Sequence, residues 1–295
     1  MLPSHRSLIH ILRMFSLIFI IGIVLVSCGP ATQQSTTSTN PYDRAKDAFK
    51  SGELDRALEF TDKLATATPP GDFTERARVL RAVIYAGEIK SKMELVAAYG
   101  KGVDNAKNPQ FKADYRRLQS ENLQSATHAT LDLAEVAHEI APDGVIAKEL
   151  TLEAGYPTTE GPVEVQALAK VKDGGWLEPD QQESAAADSL RKGIDDALAD
   201  AVSGDRAKAR NVLAGGSTKI DGASFAIFLS KELAEGAVAF NRHHGRDPQK
   251  LIAICDEGEQ TLKAAQAILK DQPDKDKDKE VKKLQEKFKT IRADK

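Results

Sequence analysis

Apolar residues recur every three or four positions along most of residues 41–270, which is the spacing that places them on one face of an α-helix. Several of these stretches begin with Asn or Asp followed by Pro, an N-cap and first-turn pair that starts helices. No run alternates apolar with polar residues, so the pattern predicts an all-α fold without a sheet. The clearest apolar face, in residues 251–269, consists of Leu251, Ile254, Cys255, Leu262, Ala265 and Leu269.

Gly and Pro residues divide this pattern into separate helices. A capping box at Asp72-x-x-Glu75 predicts the start of a long third helix, which Gly100-Lys101-Gly102 ends. Residues 143–180 are rich in Gly and Pro and predict a loop-rich middle segment with a short helix at 163–171. The other predicted helices occupy residues 41–51, 53–66, 109–140, 179–202, 205–214, 223–243, 248–269 and 280–291.

Two segments share a spacing that predicts tight helical hairpins. Gly52 precedes Ala57 by five residues, and Gly204 precedes Ala209 by the same interval. Glycine can adopt the backbone conformation of a tight turn, and a small Ala on the second helix lets two helices approach closely. We therefore expect antiparallel helical hairpins at both places.

The first hairpin resembles a tetratricopeptide repeat over about 30 residues. The resemblance rests on a small residue in the first helix, Gly at the turn, an apolar residue and Ala in the second helix, and a closing Pro. These correspond to Ala45, Gly52, Leu54, Ala57 and Pro69, whereas the unit at Gly204 and Ala209 has no closing Pro. The resemblance implies a tetratricopeptide-like array with an irregular middle, whose concave surface holds a peptide or helix of a partner. The alternative is a compact helical domain built from hairpins.

The N-terminus combines positive charge with a short apolar run. Arg6 and Arg13 precede the run from Phe15 to Val26, and residues 1–27 contain no acidic residue. A helix that spans a bilayer needs about 20 apolar residues, so this run is short for a span. A short apolar core behind positive charge is typical of a secretory signal peptide, which we place at residues 1–27.

The end of this run, Leu25-Val26-Ser27-Cys28, resembles the lipobox of bacterial lipoproteins. The resemblance implies cleavage before Cys28, a thioether-linked diacylglycerol on its sulfur and acylation of the new amine. Two or three acyl chains hold a protein far more firmly in a membrane than one does. The alternative is an uncleaved N-terminal helix that anchors the chain, with an ordinary cysteine at position 28.

Residues 29–40, GPATQQSTTSTN, carry no charge and no large apolar side chain. Such a segment cannot bury enough surface to fold, so we interpret residues 28–40 as the lipidated cysteine and a flexible tether that spans on the order of 20 Å. Residue 29 is Gly rather than Asp, and in a Gram-negative bacterium the resemblance then implies the outer membrane, facing the periplasm. The expected body covers residues 41–270, and residues 271–295 form a charged, Lys-rich tail or helix.

The charge distribution separates an acidic body from a basic tail. The chain of 295 residues carries a net charge of −3, and removal of Arg6 and Arg13 with the signal peptide makes it −5. Residues 270–295 hold ten Lys or Arg and seven Asp or Glu. We interpret the tail either as a solvated helix with ion pairs one turn apart, or as a contact for an acidic partner, a lipid headgroup or an anionic cell-wall polymer. The net charge disfavours nucleic acid as a partner.

The sequence contains no motif that predicts catalysis or a bound cofactor. Phosphate-binding Gly motifs, a G-x-S-x-G nucleophile turn and an H-E-x-x-H zinc motif are all missing. We therefore predict no catalytic residue, no metal site and no cofactor. Cys255 is expected to be a buried apolar side chain. The single Trp, Trp176, either anchors the middle segment to the core or contacts a ligand.

These observations lead to one expected function and one alternative. We expect a membrane-anchored lipoprotein of the bacterial envelope that acts as a helical scaffold for unidentified envelope proteins, without catalysis of its own. The alternative is a solute-binding or transport-accessory lipoprotein with its ligand in a cleft near Trp176. An enzyme, for instance a helical cell-wall hydrolase, would need a buried, isolated acid with a raised pKa, and the sequence alone does not reveal one.

Overall fold

A computed structural model describes residues 40–156, 165–244 and 247–293. The predicted signal peptide, Cys28 and the tether up to residue 39 lie outside the described residues. The described chain contains ten α-helices, a short 3₁₀ turn (Pro142–Gly144) and two strands, β1 (Glu149–Gly155) and β2 (Ala214–Asp221). The helices are α1 (Pro41–Lys50), α2 (Leu54–Ala65), α3 (Thr74–Asn105), α4 (Pro109–Ile140), α5 (Ala167–Lys172), α6 (Pro179–Ala201), α7 (Arg206–Leu213), α8 (Gly222–His244), α9 (Pro248–Asp271) and α10 (Lys275–Ala293).

The helix starts marked by Asn or Asp before Pro form as predicted. The side-chain oxygens of Asn40, Asn108 and Asp247 accept hydrogen bonds from backbone N–H groups two or three residues later, at 2.9, 2.9 and 3.2 Å. These bonds satisfy donors that a helix leaves without partners in its first turn. The all-α fold class is confirmed, because helices dominate the described chain and the sheet has only two strands.

The start of helix α3 differs from the prediction. Phe73 occupies the N-cap position without a side-chain hydrogen bond, so the capping box expected at Asp72 is wrong. The hydroxyl of Thr74 instead accepts a hydrogen bond from the backbone N–H of Gly71, at 2.9 Å, and donates one to the carbonyl oxygen of Leu64, at 3.1 Å. The helix is therefore started by a contact with the end of α2 that the local sequence does not indicate.

The end of helix α3 also differs, because the helix continues through Gly100 and Gly102 to Asn105. A β-carbon at position 102 would lie 2.8 Å from the ring of Tyr115 and 3.1 Å from a methyl group of Val171. The glycine is thus present because two neighbouring elements pack against the helix backbone there. Close packing of this kind is the reason that a Gly pair did not end the helix.

The prediction that the chain contains no sheet is wrong. Strands β1 and β2 pair antiparallel, with Glu149 opposite Asp221 and Glu153 opposite Ser217. Three consecutive β1 residues, 150–152, are buried, so β1 lacks the alternation of a strand with one exposed face. Strand β2 begins with AGGS, a composition more typical of a turn. Pairing with a distant partner, rather than local pattern, defines both strands.

Helix α3 lies at the centre of the body. It packs along α4, its neighbour in sequence, and along α6, which follows the middle segment. The backbones of α3 and α6 touch, since a β-carbon on Gly193 would overlap the carbonyl oxygen of Gly87. At the same crossing the hydroxyl of Ser189 donates to the carbonyl oxygen of Ser91, at 3.1 Å. Contacts are therefore not limited to neighbouring helices, as they are in a linear solenoid.

The buried side chains form a main core and a smaller cluster. The main core includes side chains from α1 to α4 and from α6 to α10. The smaller cluster surrounds the turn between α3 and α4, and we call it the Trp176 cluster. Helices α3, α4 and α6 contribute side chains to both. The Trp176 cluster consists of Leu95, Ala98, Tyr99, Ala106, Tyr115, Val165, Leu168, Val171, Leu177 and Ala185, with the half-buried Phe111 and Trp176 packed against it.

The C-terminal helix α10 packs on α8 and α9. Val281, Leu284, Phe288 and Ile291 are buried, and a β-carbon on Gly258 of α9 would overlap the ring of Phe288. The described part of the predicted tail is therefore a helix with a buried apolar face and a charged outer face. Among the described helices none combines the length and the hydropathy that crossing a membrane requires.

Candidate functional site

The α1–α2 hairpin contains four of the residues that resemble a tetratricopeptide repeat. Ala45 in α1 and Ala57 in α2 are fully buried, which lets the two helices pack closely. Gly52 closes the turn with a φ of 77°, a left-handed conformation that favours glycine. Leu54 begins α2 with a buried side chain. The structure thus brings these predicted packing residues together in one hairpin.

The other predicted packing residues lie elsewhere. Pro69 is exposed in the turn between α2 and α3. Gly204 also has a φ of 77° and joins α6 to the short helix α7, in which Ala209 is buried. Helix α7 leads directly into β2 rather than into another helix. The two Gly turns share a backbone conformation but belong to different structures.

An open cleft lies beside the turn of the α1–α2 hairpin. Residues 52–56, Glu88 of α3 and Leu190 of α6 line its volume of about 430 Å³, and we call it the Glu88 cleft. Glu53, at the end of the turn, forms an ion pair with Arg56 of α2. The cleft therefore combines two leucines, at positions 54 and 190, with charged groups on its rim and at Glu88.

Glu88 is the unusual side chain of this cleft. It makes no hydrogen bond or ion pair with another described residue. Burial raises its pKa to about 7; the positive charge of Lys92 acts against this rise, and the negative charges of Asp55 and Asp132 add to it. Such a carboxyl group keeps its proton at weakly acidic pH and can then donate a hydrogen bond as well as accept one.

Tyr156 links Glu88 electrostatically to a second carboxyl group. Burial raises the pKa of Tyr156 to about 12, and the negative charges of Asp195 and Glu88 contribute to this rise, against Arg191. Burial also raises the pKa of Asp195 to about 6, and its Oδ1 atom accepts no hydrogen bond from any described residue. Two acids with raised pKa values, one on α3 and one on α6, therefore lie within electrostatic reach of one phenol.

A partly buried network of charges holds α3 in place two residues beyond Glu88. The Nζ atom of Lys90 lies 2.8 Å from Oε1 of Glu232 and 2.9 Å from Oδ2 of Asp200. Lys231 reaches the same oxygen of Asp200, at 3.0 Å. Glu232 is fully buried, and burial raises its pKa to about 7. The network joins α3, α6 and α8 and so fixes two of the elements that line the cleft.

Trp176 is packed against the start of helix α4. Its ring stacks on Phe111 with centroids 5.1 Å apart, and the ring of Tyr115 lies at 5.5 Å. The hydroxyl of Tyr115 donates a hydrogen bond to the carbonyl oxygen of Gly175. This arrangement ties the middle segment to α4, and the lining of the Glu88 cleft does not include Trp176.

The metal-ligating and thiol side chains offer no second site among the described residues. No group of three or more His, Cys, Asp or Glu side chains in that part of the chain is placed to hold a metal ion. His138 faces a carboxylate, with its Nδ1 atom 3.3 Å from Oε1 of Glu257. Cys255 is fully buried, as expected, and burial raises the pKa of its thiol. A thiol in that state is a poor nucleophile.

Glu88 was not among the residues predicted from the sequence. Glu88 is the single acid between Glu75 and Glu94, in a stretch of α3 that is otherwise largely apolar or basic. Every position of 79–91 is buried or half-buried, so this stretch of the helix has no solvated face on which an acid would lie. An isolated acid in a helix that is apolar on all sides is the signal that would have identified it.

Comparison with known protein families, with curated proteins and with solved structures gives no match for this chain. The fold and the cleft define an all-α protein with a partly buried, protonatable acid beside a helical hairpin.

Proposed function

We propose that this chain is a lipid-anchored protein of the bacterial envelope whose helical body binds a partner protein, without catalysis of its own. Cys28 is the proposed lipid attachment point, and a Gram-negative source would place the protein on the outer membrane, facing the periplasm. The observation that carries the binding part of the proposal is the Glu88 cleft at the turn of the α1–α2 hairpin.

The chemistry of the cleft suits a side chain that protrudes from a partner protein. Leu54 and Leu190 can cover the apolar stem of such a side chain. Glu88 can receive its polar end, either as a carboxylate that accepts a hydrogen bond or as an acid that donates one. Asp55 on the rim adds negative charge, so a Lys or Arg side chain is the complementary occupant.

The anchor is tested by metabolic labelling with palmitate in a bacterial host. We expect label on the wild-type chain and none on Cys28→Ala, because acylation needs the thiol and the new amine at that position. A Cys255→Ala variant, which removes the other thiol of the chain, controls for nonspecific labelling. Equal label on the wild type and on Cys28→Ala would overturn the proposed anchor.

The binding site is tested by site-specific photo-crosslinking in cells. A photoreactive residue at Asp55, on the rim of the cleft, is expected to yield one dominant adduct with an envelope protein, and Leu190→Lys is expected to abolish it by filling the cleft. Position Lys107, exposed at the turn between α3 and α4, serves as the matched control and is expected not to give that adduct. The same adduct from both positions, or adducts from Lys107 alone, would place binding outside the cleft.

A second candidate function has one observation in its favour. A carboxyl group with a pKa near 7 in a cleft is suited to general acid catalysis, as a cell-wall hydrolase requires. Incubation of the purified protein with cell-wall material would then release soluble fragments, and Glu88→Gln would stop the release while Glu183→Gln, an exposed acid of α6, would not. Release that Glu88→Gln leaves unchanged would exclude Glu88 as the acid.

A further inference from the structure

Helix α10 carries an unpaired row of positive charge. Lys275, Lys279, Lys283 and Lys287 follow one another at intervals of four residues, which places them side by side along the helix. The first three are exposed and Lys287 is half-buried. None of them forms a hydrogen bond or an ion pair with another described residue. We call these four residues the lysine row.

Several acids in and near α10 pair with other cations, whereas Asp276 and Glu280 of the helix form no ion pair with another described residue. Within the helix, Asp278 pairs with Lys282 at 2.6 Å and Glu286 pairs with Lys289 at 2.6 Å. Acids of neighbouring elements pair with Lys277 and with Arg292. Like charges four residues apart destabilise a helix. The lysine row is therefore an arrangement that an external anionic surface would stabilise.

The lysine row lies near the point where the predicted tether joins the body. At one end of β1, the hydroxyl of Tyr42 in the first turn of α1 donates to the carbonyl oxygen of Glu153, at 2.8 Å. At the other end of β1, Glu149 is opposite Asp221, which pairs with Lys277 of α10 at 2.7 Å. The rise of a strand over these four residues is about 13 Å. The start of the lysine row thus lies one strand length, one interstrand spacing and one ion pair from the first turn of α1, a distance comparable with the tether span, on the order of 20 Å.

We propose that the lysine row is an electrostatic contact of the anchored protein with anionic phospholipid headgroups. This inference rests on the proposed lipid anchor at Cys28. The anchor raises the local concentration of headgroups around α10, so a few unpaired lysines suffice for binding. A lipid anchor together with basic residues is a combination that holds proteins more firmly on membranes than either part does alone. Such contact would orient the body on the bilayer.

The test uses the full chain, isolated with its lipid, on two kinds of vesicle: pure phosphatidylcholine, and an equimolar mixture with phosphatidylglycerol. A water-soluble acylating reagent measures the accessibility of each lysine by mass spectrometry. We expect acylation of Lys275, Lys279 and Lys283 to fall at least fivefold on the phosphatidylglycerol vesicles and to recover in 0.5 M NaCl, since salt screens such contacts. Lys107 is expected to react equally on both vesicles.

Matched variants test whether the lysine row causes the contact. Hydrogen exchange of the α10 backbone is expected to slow on the phosphatidylglycerol vesicles for the wild type. The triple variant Lys275→Gln, Lys279→Gln and Lys283→Gln is expected to lose that slowing. The control Lys101→Gln, Lys107→Gln and Lys112→Gln removes the same charge near the turn between α3 and α4 and is expected to keep it.

The outcomes separate this inference from the proposed anchor. A chain that carries no lipid and does not float with phosphatidylcholine vesicles contradicts the proposed function, and the inference with it. A lipidated chain that floats with both vesicles, with equal acylation of the lysine row on each, overturns the inference alone. Protection of the row by soluble polyphosphate or polyglutamate, but not by the phosphatidylglycerol vesicles, would likewise overturn it in favour of an anionic polymer or an acidic protein.

Discussion

At the scale of single residues, Glu88 gives the protein a defined pH dependence. Its pKa is about 7 in the folded chain, against an ordinary value near 4.5. Between these two values the folded chain holds a proton that the unfolded chain has released, so stability falls as the pH rises from about 4.5 to about 7. A change of this size corresponds to about 3 kcal/mol. The acid is thus kept at a cost in stability at neutral pH.

We predict that Glu88→Gln stabilises the protein above pH 7 and leaves it nearly unchanged near pH 4.5. The amide has about the same size as the acid and carries no charge, so it avoids the burial of a carboxylate. The expected gain in the free energy of unfolding at pH 8 is up to about 3 kcal/mol, measured by urea denaturation at both pH values. In the variant the free energy of unfolding still falls with rising pH, but with a smaller slope, because the pKa of Asp195 is also raised, to about 6.

The control for this prediction is Glu183→Gln, because Glu183 is exposed on α6. It is expected to change the free energy of unfolding by less than about 0.5 kcal/mol at either pH. Equal effects of Glu88→Gln and Glu183→Gln at pH 8 would show that Glu88 is solvated in the folded chain.

A substitution of Lys90 is expected to lower the free energy of unfolding, whereas Glu88→Gln raises it. Replacing Lys90 by Met would leave the fully buried Glu232 without its cation, at a cost of about 3–5 kcal/mol at pH 8. The cost is expected to shrink toward pH 5, where Glu232 can be protonated. Urea denaturation measures both values. A double variant, Lys90→Met with Glu232→Leu, is expected to recover most of the loss, and failure to recover would assign the loss to packing rather than charge.

At the scale of elements, the crossing of α3 and α6 depends on the absence of side chains. A β-carbon on Gly193 would overlap the carbonyl oxygen of Gly87 and lie 3.0 Å from the backbone nitrogen of Ser91. Gly→Ala in a helix interior is normally stabilising by about 1 kcal/mol. Because backbone atoms cannot move aside as a flexible side chain can, Gly193→Ala should instead destabilise the protein.

We predict that Gly193→Ala lowers the free energy of unfolding by about 1–3 kcal/mol, or prevents folding. Thermal denaturation followed by circular dichroism measures the loss. Gly71→Ala is the control, since a β-carbon at position 71 meets no atom within 4 Å, and its effect should be small. A stabilised Gly193→Ala variant would mean that the two helices are further apart than described.

The elements that could be predicted from the sequence are those with local signals. Helices α1, α4 and α9 begin at Asn or Asp before Pro, and the same local rules placed their first turns correctly. Strands β1 and β2 could not be predicted, because each is defined by a partner far along the chain. The continuation of α3 past Gly102 likewise depends on Tyr115, which belongs to another helix.

The candidate site likewise combines features that local sequence predicts with features that depend on distant parts of the chain. The turn at Gly52 and the packing of Ala57 follow from residues next to each other in the sequence, and both were predicted. The cleft itself was not, because its walls come from the α1–α2 turn, α3 and α6. The burial of Glu88 depends on tertiary packing. Because apolar residues lie on all sides of this part of α3, helical periodicity does not indicate which face is buried.

At the scale of the whole molecule, the two clusters of buried side chains are joined by continuous helices. Leu80 and Ile84 of α3 lie in the main core, while Leu95 and Tyr99 of the same helix lie in the Trp176 cluster. Helices α4 and α6 connect the clusters in the same way. Unfolding of either cluster alone would break three long helices between their two ends, so the described body should unfold as one cooperative unit.

We therefore predict a single unfolding transition. Trp176 is the only Trp of the chain, so its fluorescence reports the smaller cluster, whereas circular dichroism at 222 nm reports all the helices. The two signals should give the same urea midpoint, and Phe288→Ala, which opens a cavity in the main core far along the chain from Trp176, should lower both midpoints together. If Phe288→Ala shifted the circular dichroism midpoint and left the fluorescence midpoint in place, the Trp176 cluster would be an independent unit. The long helices would then contain two cores that unfold separately. Binding at the Glu88 cleft would in that case leave the stability of the Trp176 cluster unchanged.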